Sequence, residues 1–270
     1  KFYKNSTSAL FGKDVMNFIL NNYVKEIIIT GCCTDICIMN FAIPLKNLFN
    51  ELGKKPRGKI FIHKNIPVSA GMAGGSGNGA AVLAALNCLY NTPFSEEELL
   101  KMGAKIGADV PYCLIGGTQK AEGIGEILTP VSPMQKHYVL IVTPPISIST
   151  PWVYSEYDKI ERTIYPNTNA LISALENNDY YGICNNLSNV LEEVTIKKHP
   201  VIGGIKEKLL RNGANGVLMS GSGPTVFGFF DDYKKAKEYA SEVLYSGKAL
   251  EKFKDDPYKV DLINIMDDCL

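Results

Sequence analysis

Three short stretches carry residue types that could do chemistry. The first runs over residues 66–90, IPVSAGMAGGSGNGAAVLAALNCLY, with glycine at 71, 74, 75, 77 and 79. Five glycines in nine positions build no core; they let the backbone turn sharply and bring its N–H groups close to a ligand. Ala81, Val82, Ala84, Ala85 and Leu86 then recur at helical spacing. A helix starting there aims its positive end and unpaired amides back at the loop, which holds an anion such as a nucleotide phosphate. A flexible linker is the alternative, set against the position of the stretch between a strand-like run and a strong helix. The stretch ends in no Gly-Lys-Ser/Thr, so it is not a Walker A loop, and it lacks the Gly-x-Gly-x-x-Gly of a Rossmann turn.

The second stretch is GADVP, residues 107–111. Asp109 stands at the entrance to an apolar segment over 110–115, where a carboxylate near a phosphate loop can serve as a general base. A helix-capping aspartate is the alternative, and local sequence leaves both open. The third is SGSG, where Ser220, Gly221, Ser222 and Gly223 join two strand-like runs. Such a turn offers hydroxyls and N–H groups to a second phosphate; taken alone, it reads as a plain tight hairpin. Two glycine turns in one chain make the anion reading far more specific than either does singly. A fourth candidate is Cys37, after a strand-like run and a tight turn, the layout that exposes a nucleophilic thiol at a helix N-terminus. Small buried cysteines at 32, 33 and 37 are the alternative there. His63, alone in a strand, reads as structural.

Positioning these residues requires a folded core, and composition supplies one. The 270 residues are 46% hydrophobic and 21% charged, ordinary for a globular protein and long enough for two domains. Lys plus Arg and Asp plus Glu both number 28, so no field favours nucleic acid or a membrane surface. No apolar run approaches the ~20 residues of a membrane span, and no signal peptide is evident. Apart from the cluster at 32, 33 and 37, the seven cysteines lack metal spacing, and the set suits reduced thiols, hence a cytoplasmic setting.

Along the chain, residues 14–23 have helical spacing and 24–31 (VKEIIITG) read as a buried strand. Residues 58–67 form an alternating strand that delivers the chain into the glycine loop. Ser95 followed by three glutamates and an apolar pattern starts a helix over 95–107. Gly116-Gly117 and AEGIGE predict a hairpin close to the nucleotide. Further on, 138–145 is a buried strand opening a second domain; helices are expected over 167–177, 180–194, 201–212 and 233–243, with strand, glycine turn and strand over 216–230.

The glycine motifs resemble those of the GHMP kinases, whose Pro-x-x-x-Gly-Leu-x-Gly-Gly-Ser loop is matched by residues 67–76, Gly-Ala-Asp-Val-Pro by 107–111, and third motif by 219–225. The segments AEGIGE and PPISISTPWVY resemble the branch that phosphorylates a cytidine-diphosphate-linked polyol for non-mevalonate isoprenoid synthesis. The resemblance covers residues 58–270 and implies an α+β fold: an N-lobe like ribosomal protein S5 domain 2, here truncated, and a ferredoxin-like C-lobe. It implies that Asp109 takes the proton from the substrate hydroxyl. ATP would be held by Pro67, Gly71, Met72, Ala73, Gly74, Gly75, Ser76, Gly77 and Asn78, with Ser76 also facing Mg2+. Asn78 replaces a frequent Asp and Gly79 a usual alanine. The family's first strand, with its lysine and cytosine-binding segment, is not matched before Gly58.

Residues 1–45 instead resemble the C-terminal half of the isochorismatase-like cysteine hydrolases, with Lys4 and Cys37 at the positions of a catalytic lysine and nucleophile and the Cys32–Cys33 bond at the family's cis peptide. The family's aspartate has no counterpart. The chain therefore reads as a chimera: a hydrolase-like strand-turn-helix fragment over 1–50, an incomplete kinase N-terminal domain over 51–135 and a kinase C-terminal domain over 136–270, joined between about residues 39 and 55. The expected activity is a small-molecule kinase, with a nucleotide-binding remnant or a cysteine hydrolase as alternatives. A small-molecule substrate and a monomer or homodimer are expected, with an open sheet edge favouring self-association.

Overall fold

The computed structural model describes residues 28–30, 61–63, 70–89, 94–135, 137–161, 165–245 and 259–264. The helix expected at 14–23, the turn with Cys32, Cys33 and Cys37, Lys4, Pro67 and the join at 39–55 lie outside them. The chain divides into two compact units, and the division falls inside the glycine motif: Ser69–Met72 belong with Val131–Asp268, and Ala73–Pro130 with the N-terminal residues.

In the first unit, β1 (Ile28–Thr30) pairs in parallel with β2 (Phe61–His63), Ile28 opposite Phe61. Helix α1 (Gly74–Leu89) follows, then α2 (Glu96–Ile106) and the short α3 (Val110–Ile115). A reciprocal capping box starts α2: the Glu98 amide donates to Ser95 Oγ at 3.3 Å and the Ser95 amide to Glu98 Oε2 at 2.8 Å. That satisfies two donors that a helix start leaves orphaned. The hairpin read from AEGIGE is present, as β3 (Gln119–Glu122) antiparallel to β4 (Ile127–Pro130). Ala80, Leu83, Ile106, Val110 and Cys113 form this unit's core, joining α1, α2 and α3.

The second unit is built on a four-stranded antiparallel sheet in the order β6 (Gly216–Met219), β7 (Val226–Phe230), β5 (Tyr138–Thr143), β8 (Lys259–Asn264). Between β5 and β6 run α4 (Thr150–Tyr157), α5 (Thr168–Glu176), α6 (Tyr180–Asn185), α7 (Glu192–Lys198) and α8 (Pro200–Arg211). Helix α9 (Tyr233–Tyr245) follows β7. Helix α8 buries Ile202, Ile205 and Leu209, at helical spacing, in a core with Leu140, Val142, Met219, Val226 and Phe230.

Two expectations are corrected. Residues 180–194 form two helices, not one. Asn186 ends α6 by donating its side-chain amide to Gly182 O at 2.8 Å, and Asn189 Oδ1 accepts from Leu191 N at 3.0 Å. These local bonds give the backbone an alternative to helix over 186–191. The glycine stretch is mostly helix rather than loop, since α1 already includes Gly74, Gly75, Gly77 and Gly79. Helix α4 and strand β8 were not anticipated. Ser149 accepting from Trp152 N and Pro151 in the first turn are the start signals for α4 that the reading passed over. Among the described residues, no helix is long and apolar enough to cross a membrane.

Candidate active site

In the first unit, the site begins at the start of α1. Ala73, the residue before it, has φ 46°, a left-handed conformation that costs a non-glycine residue on the order of 1–3 kcal/mol and clusters at ligand-binding turns. The first helical bond runs from Gly77 N to Ala73 O at 2.9 Å, so the amides of Gly74, Gly75 and Ser76 precede any acceptor within the helix. Ala73 has no side-chain oxygen to receive them, and the first turn holds no acid. Asn78, one turn on, is 7% exposed, and its Nδ2 has no hydrogen-bond partner. A buried amide donor and a row of helix-start N–H groups fit a bound phosphate.

Asp109 precedes α3 in the same unit. Its carboxylate is exposed and makes no capping bond to the helix it introduces, so the capping alternative is not what the structure contains. Val110 beside it is 1% exposed. Its Cγ2 lies 3.6 Å from where a Cβ on Gly79 would stand, which seats the start of α3 against the second turn of α1. The hairpin tip approaches from the other side: a Cβ on Gly125 would lie 3.2 Å from Ala108 O. Asp109 is thus flanked by residues packed on the glycine helix and on the AEGIGE turn. Among the described residues, no group of three or more His, Cys, Asp or Glu could hold a metal ion.

In the second unit, the two glycine turns meet. Gly71 has φ 74°, and a Cβ there would sit 2.3 Å from Ser220 O and 2.9 Å from Gly223 O. Ser220 Oγ donates to Gly71 O at 2.7 Å, and Thr225 N to Ala70 O at 3.4 Å. Ser222 Oγ is shared with Thr150 Oγ1 at 2.8 Å, and Gly223 N donates to Ser220 O at 2.9 Å. The hydroxyls of the Ser220–Gly221–Ser222–Gly223 turn are therefore engaged within the protein, and the turn buttresses the first loop. Sequence reasoning missed what holds that turn. Asn189 Nδ2 donates to Met219 O and Gly221 O, both at 2.8 Å, and Glu192 Oε1 accepts from Met219 N at 2.8 Å. Asn189 and Glu192 are three apart, but nothing in the sequence ties them to residues about thirty positions on.

Residues 40–117 match the family model for the GHMP kinases N terminal domain, and residues 162–249 that for the GHMP kinases C terminal. The chain is 53% identical over 176 residues to 4-diphosphocytidyl-2-C-methyl-D-erythritol kinase of Clostridium novyi (strain NT), covering 65% of this chain and 63% of that one. It is 49% identical over 199 residues to the protein of that name from Lachnoclostridium phytofermentans, covering 74% and 65%. The chain thus spans 63% and 65% of the length of these two relatives, short of two thirds. A third, from Clostridium acetobutylicum, is 45% identical over 205 residues, covering 76% of this chain and 73% of that one. Among solved structures, a 4-(cytidine 5'-diphospho)-2C-methyl-D-erythritol kinase superposes with TM-score 0.64 at 24% identity, covering 90% of this chain and 84% of that one. Homoserine kinase from Cytophaga hutchinsonii gives 0.63 at 18% identity, covering 89% and 82%. Both share the fold. These findings favour neither the hydrolase reading nor its Lys4 and Cys37. With two domain models matched in order and 45% identity across 73% of a relative, the chain belongs to the GHMP kinase family.

Proposed function

We propose that the chain is an ATP-dependent kinase that phosphorylates a hydroxyl of 4-diphosphocytidyl-2-C-methyl-D-erythritol. The observation that carries this reading is the pairing, within one unit, of the exposed Asp109 carboxylate with a helix whose first amides lack an internal acceptor. The names of relatives at 45–53% identity supply the substrate.

Asp109 accepts the proton of the substrate hydroxyl, and its exposure leaves it accessible to that group. Gly74, Gly75 and Ser76 turn their amides to the phosphates, and Asn78 Nδ2 adds a side-chain donor. The protein's task is then positioning and charge stabilisation, with no covalent intermediate. Mg2+, when bound with the nucleotide, neutralises phosphate charge, and Ser76 is its ligand in this reading. Pro67 belongs to the same loop by its place in the motif. Cytoplasmic placement is part of the proposal, supported by the buried Cys88 and Cys184, neither of which is in a disulfide.

ADP release measured with ATP, Mg2+ and 4-diphosphocytidyl-2-C-methyl-D-erythritol tests it. Asp109→Asn should cut turnover by about 10²–10⁴-fold, the usual worth of a positioned base, and leave the melting temperature unchanged. Full activity in the variant would remove Asp109 from the mechanism. No turnover by the unmodified chain, with ATP still raising its melting temperature, would mean nucleotide binding without phosphoryl transfer.

A further inference from the structure

The second unit contains a continuous set of contacts from helix α8 to the first glycine loop, and its interior members have no assigned role. Lys206 on α8 is ion-paired with Glu192 Oε2, at side-chain exposures of 21% and 15%. The other oxygen, Oε1, accepts from Met219 N at 2.8 Å, at the end of β6. Asn189 spends both amide hydrogens on the same turn, at Met219 O and Gly221 O, while its own oxygen is held by Leu191 N at 3.0 Å. From that turn, Ser220 Oγ reaches Gly71 O at 2.7 Å, and Ser220 O and Gly223 O leave no room for a side chain at residue 71.

We propose that Asn189 and Glu192 are positioning residues that fix Ala70 and Gly71 through the Met219–Gly221 turn, so that α7 and α8 govern the nucleotide loop without touching nucleotide. Each link from Asn189 and Glu192 onward is a hydrogen bond to backbone, and backbone acceptors and donors cannot swing away as side chains do. A change at Glu192 therefore displaces the Met219 amide, and through it the serine that grips Gly71. The carboxylate is also held in place by Lys206, so its orientation does not depend on solvent. The link from loop geometry to ATP affinity rests on the kinase reading above; the mechanical coupling does not.

Removing one member of a sheltered ion pair leaves the other charge uncompensated and destabilises a fold for that reason alone. Both charges are therefore removed together. In Glu192→Leu with Lys206→Met, the Met219 amide also loses its acceptor. In Glu192→Gln with Lys206→Met, the charges go but an acceptor oxygen stays. Hydrogen exchange, followed by mass spectrometry on the full chain, is then compared over residues 70–73, 216–225 and 200–211. The Leu/Met pair should exchange about tenfold faster over 70–73 and 216–225 with 200–211 unchanged, the size expected when one hydrogen bond that gates local opening is lost. The Gln/Met pair should restore the slow rate, Asn189→Ala should speed the same two segments, and Glu207→Gln, on the exposed face of α8, should change neither. Unaltered exchange over 70–73 in the Leu/Met pair overturns the proposal, as does equal acceleration everywhere, which would mark general loosening. In steady-state assays, the Leu/Met pair should raise KM for ATP by about tenfold with kcat less affected. If Mg·ATP gives the unmodified chain no protection over 70–77, the nucleotide reading fails, while the exchange comparison still decides the coupling.

Discussion

Two glycines of the same stretch have opposite requirements. Gly71 is left-handed, and a β-carbon would strike the Ser220 and Gly223 carbonyls at 2.3 and 2.9 Å. An L side chain in that conformation costs roughly 1–2 kcal/mol before any clash is counted, and here the obstruction is backbone. Gly71→Ala should therefore lower stability by more than about 2 kcal/mol, read as a fall in the urea midpoint at constant m-value. Gly79 lies inside α1, where a β-carbon would meet Ile106 Cγ2 at 3.5 Å and Val110 Cγ2 at 3.6 Å, ordinary contact distances. Gly79→Ala gains helix propensity and loses unfolded-state freedom, so it should stabilise by about 0.4–1 kcal/mol. The same urea experiment checks it, and a destabilised Gly79→Ala would show that the start of α3 cannot tolerate even a methyl group against α1. The physical reason for the difference lies in the carbonyls opposite Gly71, which have no counterpart at Gly79.

At the scale of elements, the parts of the fold that announce themselves are those with local chemistry. Helix α2 is the clearest: the Ser95–Glu98 capping box and the acids at 96–98 are all within one turn of sequence. Ser95→Ala removes the acceptor of Glu98 N while the Glu98 side chain keeps its bond to the residue-95 amide. A loss of about 0.5–2 kcal/mol is expected, measurable by chemical denaturation, and no loss would mean that water caps the helix equally well. The AEGIGE hairpin was legible for a similar reason, because Gly123 and Gly125 take φ of 70° and 120°, which their neighbours could not. Illegible features depend on distant partners. The break between α6 and α7 makes sense only once Asn189 is seen reaching Met219 and Gly221. Likewise, glycines at 74, 75 and 77 look like loop in sequence, yet continue as a helix whose next turns carry the buried Ala80 and Leu83. Asp109 was legible as a chemical residue, but its freedom from capping was not, since that depends on the geometry of α3.

Over the whole molecule, charge and exposed surface bear on self-association together. Twenty-eight basic residues balance twenty-eight acidic ones, with a pI of about 7.0, so long-range repulsion between copies vanishes near neutral pH. Among the described residues, β3 and β4 pair only with each other, and Ile124 and Ile127 are 75% and 55% exposed on that hairpin. Unpaired strand edges beside exposed isoleucine are a template for another copy's strand. Light scattering should therefore show attraction between molecules that peaks near pH 7. Ile127 stands opposite Glu122 in the ladder, so Ile127→Lys sets unlike charges across the strands, a pairing worth about 0.2–1 kcal/mol to the hairpin. The variant should keep its hairpin and lose most of the attraction, because a charged edge resists pairing. Net charge rises by one in this variant, and that alone weakens association. Leu210→Lys separates the two effects, since Leu210 is 51% exposed on helix α8 and not on the hairpin. If Ile127→Lys suppresses scattering well beyond Leu210→Lys, the hairpin edge is the adhesive surface; equal suppression assigns the attraction to the missing net charge.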